Sequence, residues 1–345
     1  AMLMIATANL VAGLEGGKAR DVVEPKNYKQ AVISEHAEFW QAAIHKELNN
    51  IEDHDVWEWV DLPPGRKPID TTWAFKAKPN AVGFIDKLKA RLCARGFRQI
   101  YGIDFTETHA PVTAIAAWRA AVAECARHGH HIDIWDVSGA YLNSDLIEDI
   151  YVKPPEGMPI PAGCKGKVLK LKKALYGLKQ AGRAWNQKLR EFLLECGFRL
   201  SDADQSMFLK TKRQGGRQQS IRLNVHVDDS FATYTDDKWY TEFKRRLEDV
   251  ENGGFSLSSS EDGDVFIGVK VEVLPDGAIK IQQTRYVEDL VAKFLGSEDN
   301  AAVVPHFSTI KLTKDMCPLT QEAMKIMKDV PYRSLIGALN HIANY

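Results

Sequence analysis

The sequence predicts an α+β fold organised on a split βαβ unit with carboxylates at adjacent strand tips. Three observations carry that prediction. In residues 220–234, Ile221, Leu223, Val225 and Val227 alternate with Arg222, Asn224 and His226, and the run breaks at Asp228-Asp229 before resuming. Residues 131–137 alternate in the same way, with Ile132, Ile134 and Asp136 on one face. Helical stripes flank both runs: Ile115, Trp118, Val122 and Cys125 before the first acid, and Ala181, Trp185, Leu189, Phe192 and Cys196 between the two.

In chain order, residues 1–24 carry Gly13, Gly16 and Gly17 with little periodicity and read as a loose tail. The apolar start, residues 1–8, is too short to span a bilayer and lacks a basic leader; an Ala before Met suggests excision from something longer. A helix is predicted over 34–50, with Trp40, Ile44, Leu48 and Ile51 on one stripe, before Pro63-Pro64-Gly65 breaks the pattern. Residues 72–78 alternate as a strand, 80–83 read as a turn, and a second strand follows. Between Lys76 and Arg98 lie seven basic residues against one acid, Asp86; a solvated hairpin face and a phosphate-contacting surface both fit.

The helix over 113–128 stops at Gly129 and feeds the Asp136 strand directly. A Pro154-Pro155 loop comes next. Residues 165–190 hold nine basic residues and no acid, and Arg183, Lys188 and Arg190 fall opposite the Trp185 stripe, which points to a local nucleic-acid surface. Gly215-Gly216 marks a hairpin whose arms add Lys210, Lys212, Arg213, Arg217 and Arg222. Trp239, Phe243, Leu247 and Val250 predict a helix ending near Gly253. Residues 265–273 read as one strand, paired with 278–282 across Pro275-Asp276-Gly277, and 286–294 and 321–345 read as mostly helical. No internal repeat or low-complexity segment is visible.

Composition narrows the chemistry. The 345 residues carry 45 basic and 46 acidic side chains, so any polyanion site must be local. Five unpaired cysteines (Cys93, Cys125, Cys164, Cys196, Cys317) fit a reducing, intracellular setting and argue against zinc. Three carboxylates brought together repel by about 4 kcal/mol per pair at ~4 Å and an effective dielectric near 20. A hard divalent cation relieves that repulsion, and magnesium takes one or two carboxylates plus substrate phosphates. A pair of such ions suits in-line phosphoryl transfer, the chemistry of polymerases. A nucleotide cyclase shares this layout, so fold analogy leaves that alternative open.

From about Trp40 to Leu339 the chain resembles the reverse transcriptase of copia-type long-terminal-repeat retrotransposons. The resemblance runs through Lys89-Ala-Arg-Leu-Cys-Ala-Arg-Gly-Phe-Arg-Gln99, Tyr101-Gly-Ile-Asp-Phe105 and Ala110-Pro-Val112. It continues through Asp136-Val-Ser-Gly-Ala-Tyr-Leu-Asn143, Leu175-Tyr-Gly-Leu-Lys-Gln180 with Trp185, Val227-Asp-Asp229, and Tyr332-Arg-Ser-Leu-Ile-Gly337. It implies a right-hand polymerase fold: fingers from 25–112 and 145–180, palm from 113–144 and 181–275, and a truncated thumb from 276–345. It implies RNA- and DNA-directed DNA synthesis from dNTPs on a template-primer, with two Mg2+ ions or Mn2+ in their place. Asp136, Asp228, Asp229 and the carbonyl of Val137 would hold the metals; Lys89 and Arg91 would grip the triphosphate. Tyr141 would exclude a ribose 2′-hydroxyl, Gln180 would line the nucleotide pocket, and His226, Val227 and Gly268 would seat the primer. His226 stands where the family usually has an aromatic, and Ser144 where it has Gly. The family setting implies a larger polyprotein with ribonuclease H and integrase, whose signatures these residues do not carry. It implies a cytoplasmic particle or nuclear location and no membrane. A decayed remnant that binds nucleic acid without polymerising is the other reading within the family.

Overall fold

The computed structural model describes residues 22–79, 84–259, 265–295 and 313–344. Most of the predicted tail and the whole 80–83 turn lie outside the described residues. The chain divides into two compact units, Ala1–Asp264 and Val265–Tyr345.

In the first unit, α1 (Tyr28–Ile33) and α2 (Ala37–Asp53) precede the short strand β1 (Trp57–Val60). The apolar stripe of α2 buries Trp40, Ile44, Leu48 and Ile51, as its spacing predicts. Strands β2 (Thr71–Pro79) and β3 (Ile85–Ala94) pair as an antiparallel hairpin. Helix α3 (Ile115–His128) ends on Gly129 at φ 64°, a left-handed cap that leads into β4 (His131–Val137). Strands β5 (Asp145–Val152) and β6 (Val168–Lys173) join β1 in a three-stranded sheet of order β1-β6-β5. Alternation did not mark these three strands.

Helix α4 (Ala181–Glu195) is followed by β7 (Arg199–Leu200), β8 (Met207–Gln214), β9 (Arg217–His226) and β10 (Asp229–Tyr234). Then come α5 (Asp237–Leu247), N-capped by the Asp236 carboxylate accepting from the Trp239 amide, and β11 (Leu257–Ser259). These strands make one sheet of order β11-β4-β10-β9-β8-β7. With β5–β8 set aside, β4, α4, β9, β10, α5 and β11 follow the β-α-β-β-α-β order of the split βαβ unit.

One face of this sheet buries Trp135, Leu223, Val225 and Ala232 with Trp185, Leu189 and Phe192 of α4 and Tyr240, Phe243 and Leu247 of α5. The opposite face packs on α3, where the rings of Trp118 and Phe231 meet edge to face at 6.1 Å. Residues 136, 229 and 226 fall on this second face by alternation, at the strand ends. A separate core joins α2, the β2–β3 hairpin and the three-stranded sheet.

Two glycines let that second core close. A Cβ at Gly96 would stand 2.0 Å from the Gly177 carbonyl oxygen, and one at Gly177 would stand 2.2 Å from the Ala94 oxygen. The backbones cross there, with the Ala94 amide donating to the Tyr176 carbonyl at 2.7 Å.

In the second unit, the predicted strand 265–273 is broken. Strand β12 (Val265–Phe266) turns at Ile267-Gly268 into β13 (Val269–Val273), which pairs with β14 (Ile279–Gln282). Both turn residues have positive φ, 51° and 75°, which ends the extended run despite its apolar composition. Among the described residues, the unit also holds helices α6 (Thr284–Phe294), α7 (Gln321–Asp329) and α8 (Tyr332–Asn344).

Candidate active site

Strand β10 is hydrogen-bonded on both sides, with Asp229 opposite Asp136 of β4 and opposite His226 of β9. The two residues between His226 and Asp229 form the turn. The sequence pattern put the turn at Asp228-Asp229; the structure moves it back by one, to Val227-Asp228. Its unusual backbone belongs to Val227 at φ 61°, a conformation that disfavours β-branched side chains by about 1–3 kcal/mol. Both turn carbonyls are tied down. The Trp185 indole N–H donates to the Val227 oxygen at 2.6 Å, and the Val137 amide donates to the Asp228 oxygen at 3.0 Å.

Burial, and next Asp228, raise the proton affinity of Asp136 and Asp229. Burial pushes Asp229 up to about 7, helped by Asp228 and Asp136. Asp136 is raised by burial and by Asp228, against a hydrogen bond from Ser258 Oγ to its Oδ2 at 3.0 Å. Among the described residues, however, no three His, Cys, Asp or Glu side chains are grouped closely enough to hold a metal ion. The strands converge, but the side chains do not form a finished cage. Their chemistry still fits a divalent cation: oxygen donors, half-buried, in mutual repulsion that positive charge would relieve. Magnesium needs only one or two such carboxylates when phosphates complete its shell.

Strand β3 supplies the cations. Lys89 lies across from Lys76, and Arg91 across from Ala74. Lys89 is lowered from the ordinary lysine range, first by burial and then by Arg91, Lys78 and Lys87. The Arg91 guanidinium sits 4.7 Å from the centre of the Tyr176 ring, which lies 5.0 Å from the Tyr141 ring. Behind them, burial raises the Glu47 carboxyl, whose Oε1 accepts from the Leu92 amide at 3.3 Å. Tyr141 occupies a short 3-10 turn, Ala140–Asn143, and its phenol is raised by burial and then by Asp228.

Other predicted residues have different surroundings. Gln180 is 3% exposed; its amide donates to the Asp104 carbonyl at 2.8 Å and to Glu148, and accepts from Gln99 at 2.9 Å. Burial lowers the His226 imidazole despite nearby Asp228. Ser144 is fully buried, its hydroxyl donating to the Ala140 carbonyl at 3.4 Å. Gly268 lies in the β12–β13 turn of the second unit.

Part of the acid-free tract of residues 165–190 is paired in space with acids from elsewhere in the chain. Lys170 pairs with Asp149, Lys172 with Asp55, Arg183 with Glu107 and Lys188 with Asp145. Arg222, counted with the basic hairpin, pairs with Glu124. These pairs reduce the net positive charge that the tract shows along the chain. A cleft of about 330 Å³ lined by Tyr28, Asp70, Trp73, Arg95 and Lys153 includes none of the three acids. Ser258 and Tyr176 are site contacts that periodicity did not single out, and Trp185, which the helical stripe marks for the core, also reaches the turn.

Comparison with known proteins identifies the family. The chain is 30% identical over 317 residues to the retrovirus-related Pol polyprotein from transposon TNT 1-94 of Nicotiana tabacum, covering 92% of this chain and 23% of that protein. It is 32% identical over 321 residues to the corresponding polyprotein from transposon RE1 of Arabidopsis thaliana, covering 93% and 21%. The chain thus spans less than a quarter of the length of these relatives. A telomerase from Candida albicans, solved in complex with a fragment of telomeric RNA, is 10% identical with a TM-score of 0.32, covering 73% of this chain and 54% of that one, a likeness too slight to define the fold. The family description "Reverse transcriptase (RNA-dependent DNA polymerase)" matches residues 54–308, so the chain belongs to the reverse transcriptase family, in the form carried by copia-type retrotransposon polyproteins.

Proposed function

We propose that this chain is the polymerising core of a copia-type reverse transcriptase, extending a primer 3′-hydroxyl with deoxynucleotides on RNA and DNA templates. The observation that carries the reading is the pairing of Asp229 with Asp136 beside a tethered turn that presents Asp228. In this reading the sheet bearing the acids is the palm (113–144, 181–275), the core around the β2–β3 hairpin is the fingers (25–112, 145–180), and 276–345 supplies the thumb. The two separate cores support the first two assignments.

Two divalent ions, Mg2+ or Mn2+, would activate the primer hydroxyl and neutralise the departing pyrophosphate when bound. Asp136 and Asp228 would hold them, with Asp229 and the main-chain oxygen of Val137 assisting. Arg91, braced on Tyr176, and Lys89, partly desolvated, meet the triphosphate; the Arg fork gives directional contact and Lys a point charge. Tyr141, its ring tilted at 57° to that of Tyr176, closes the sugar side of the nucleotide site and disfavours a 2′-hydroxyl. Gln180, fixed by three partners, is a rigid element of that pocket. His226 and Val227 border the primer end, and Gly268 is assigned to the primer by resemblance. The surface ion pairs of residues 165–190 are exposed and screened by solvent, so phosphates can displace their acids. Template-primer, dNTPs and the remainder of a larger intracellular polyprotein are the partners this reading requires.

Primer extension on an RNA template with Mg2+ tests it. Extension that Asp228→Asn reduces by at least ~10³ supports the reading. Template binding without extension points to a remnant, and product formed without a primer points to a cyclase or hydrolase.

A further inference from the structure

We propose that Trp185 is the positioning residue of the carboxylate turn, its indole N–H locking Val227 in the left-handed conformation and so fixing Asp228 beside Asp136. The inference rests on the polymerase reading for its kinetic part only.

Three observations converge on it. A two-residue hairpin loop with positive φ at its first position alone normally has glycine there. This loop has valine, at φ 61°, while Asp228 is absent from the positive-φ residues. A strained conformation persists only where its surroundings over-determine it. The surroundings here are two hydrogen bonds, one to each loop carbonyl, and the bond to Val227 comes from a side chain 42 residues away. Trp185 is itself rigid. It is 1% exposed, and its ring meets Phe255 edge to face at 5.1 Å, as does that of Phe192. Phe255 leads into β11, where Ser258 donates to Asp136. One aromatic cluster therefore supports both halves of the acidic site: directly through Val227 on one side, and through the β11 approach on the other.

Removing the N–H while keeping a ring separates positioning from packing. In Trp185→Phe, the full chain should bind Mn2+ at least ~5-fold more weakly and lose ~10-fold in kcat, with KM for dNTP within ~2-fold and template-primer affinity unchanged. A purely structural role would not predict the dependence on residue 227. Glycine takes the left-handed conformation without strain, so in a Val227→Gly background the same Trp185→Phe change should cost less than ~3-fold in both readouts. If Trp185→Phe unfolds the chain, replacement of Trp185 by benzothienylalanine keeps the bicyclic shape and removes only the donor. Mn2+ binding and kcat within ~2-fold of the parent, or equal losses in both backgrounds, overturn the proposal. Should the parent fail to extend primers while Mn2+ binding still depends on Trp185 through Val227, the polymerase reading fails and the tether stands.

Discussion

Strand β9 is closed at each end by a two-residue hairpin loop, and the two loops are built in opposite ways. At one end Gly215 and Gly216, at φ 58° and 78°, join Gln214 to Arg217 in the open, where glycine meets the geometry without strain. At the other end Val227 and Asp228 join His226 to Asp229, and a β-branched residue takes the conformation glycine would favour. The first loop is stable by composition, the second by its tethers to Trp185 and Val137. Strain appears at the end that carries the acids, where freedom of the loop would spread the positions of Asp228. In the proposed function, that strain sits at the turn that carries the acids.

Substitutions that exchange the characters of the two loops should separate their roles. The largest effect is on charge. Asp228→Asn should remove at least ~10³ of primer-extension rate, whereas Gly216→Asn, in a residue type that tolerates positive φ, should leave the rate unchanged. Next is strain. Gly215→Val should lower stability by about 1–3 kcal/mol in denaturant titration with extension intact, the reverse of the pattern at Val227. An activity loss in Gly215→Val matching that of the acid variants would erase the contrast. A smaller effect belongs to Ser258→Ala, which takes a donor from Asp136; losing it should cost about 1 kcal/mol in kcat, roughly 5-fold, with little change in Tm.

The smallest concerns the support behind the cations. Burial raises Glu47, so the folded state holds its proton more tightly than the unfolded chain does. Stability from that group is present below the unfolded carboxylate pKa and is lost as pH rises through the raised folded value. Glu47→Gln keeps an acceptor for the Leu92 amide and should therefore raise Tm by about 1–2 °C at pH 7, with no gain at pH 4. A lower Tm at pH 7 would mean that attraction to Arg91 and Lys89 outweighs desolvation.

The elements of the acidic sheet were legible where periodicity was long and its ends were marked. Strand 131–137 and the helix ending at Gly129 match the structure because alternation and a glycine stop agree. The turn was displaced by one residue because Asp was credited with the unusual backbone that Val227 adopts. Residues 265–273 misled because an apolar run does not reveal a two-residue reversal at Ile267-Gly268. Charge counting along 165–190 missed partners such as Asp55 and Glu107, which only the fold brings near. The supports from Trp185 and Ser258 bridge 42 and 122 positions, beyond any local pattern. Acids are readable in a sequence; the contacts that aim them come from tertiary structure.

The most direct test of a shared acidic centre is Mn2+ binding by the full chain, compared across the parent, Asp136→Asn, Asp228→Asn and the double variant. A common centre predicts that each single substitution weakens binding by ~10-fold or more and that the double loses little beyond either one. Binding that survives in one single variant, or losses that simply add, would contradict the convergence of these two strands on one cation site.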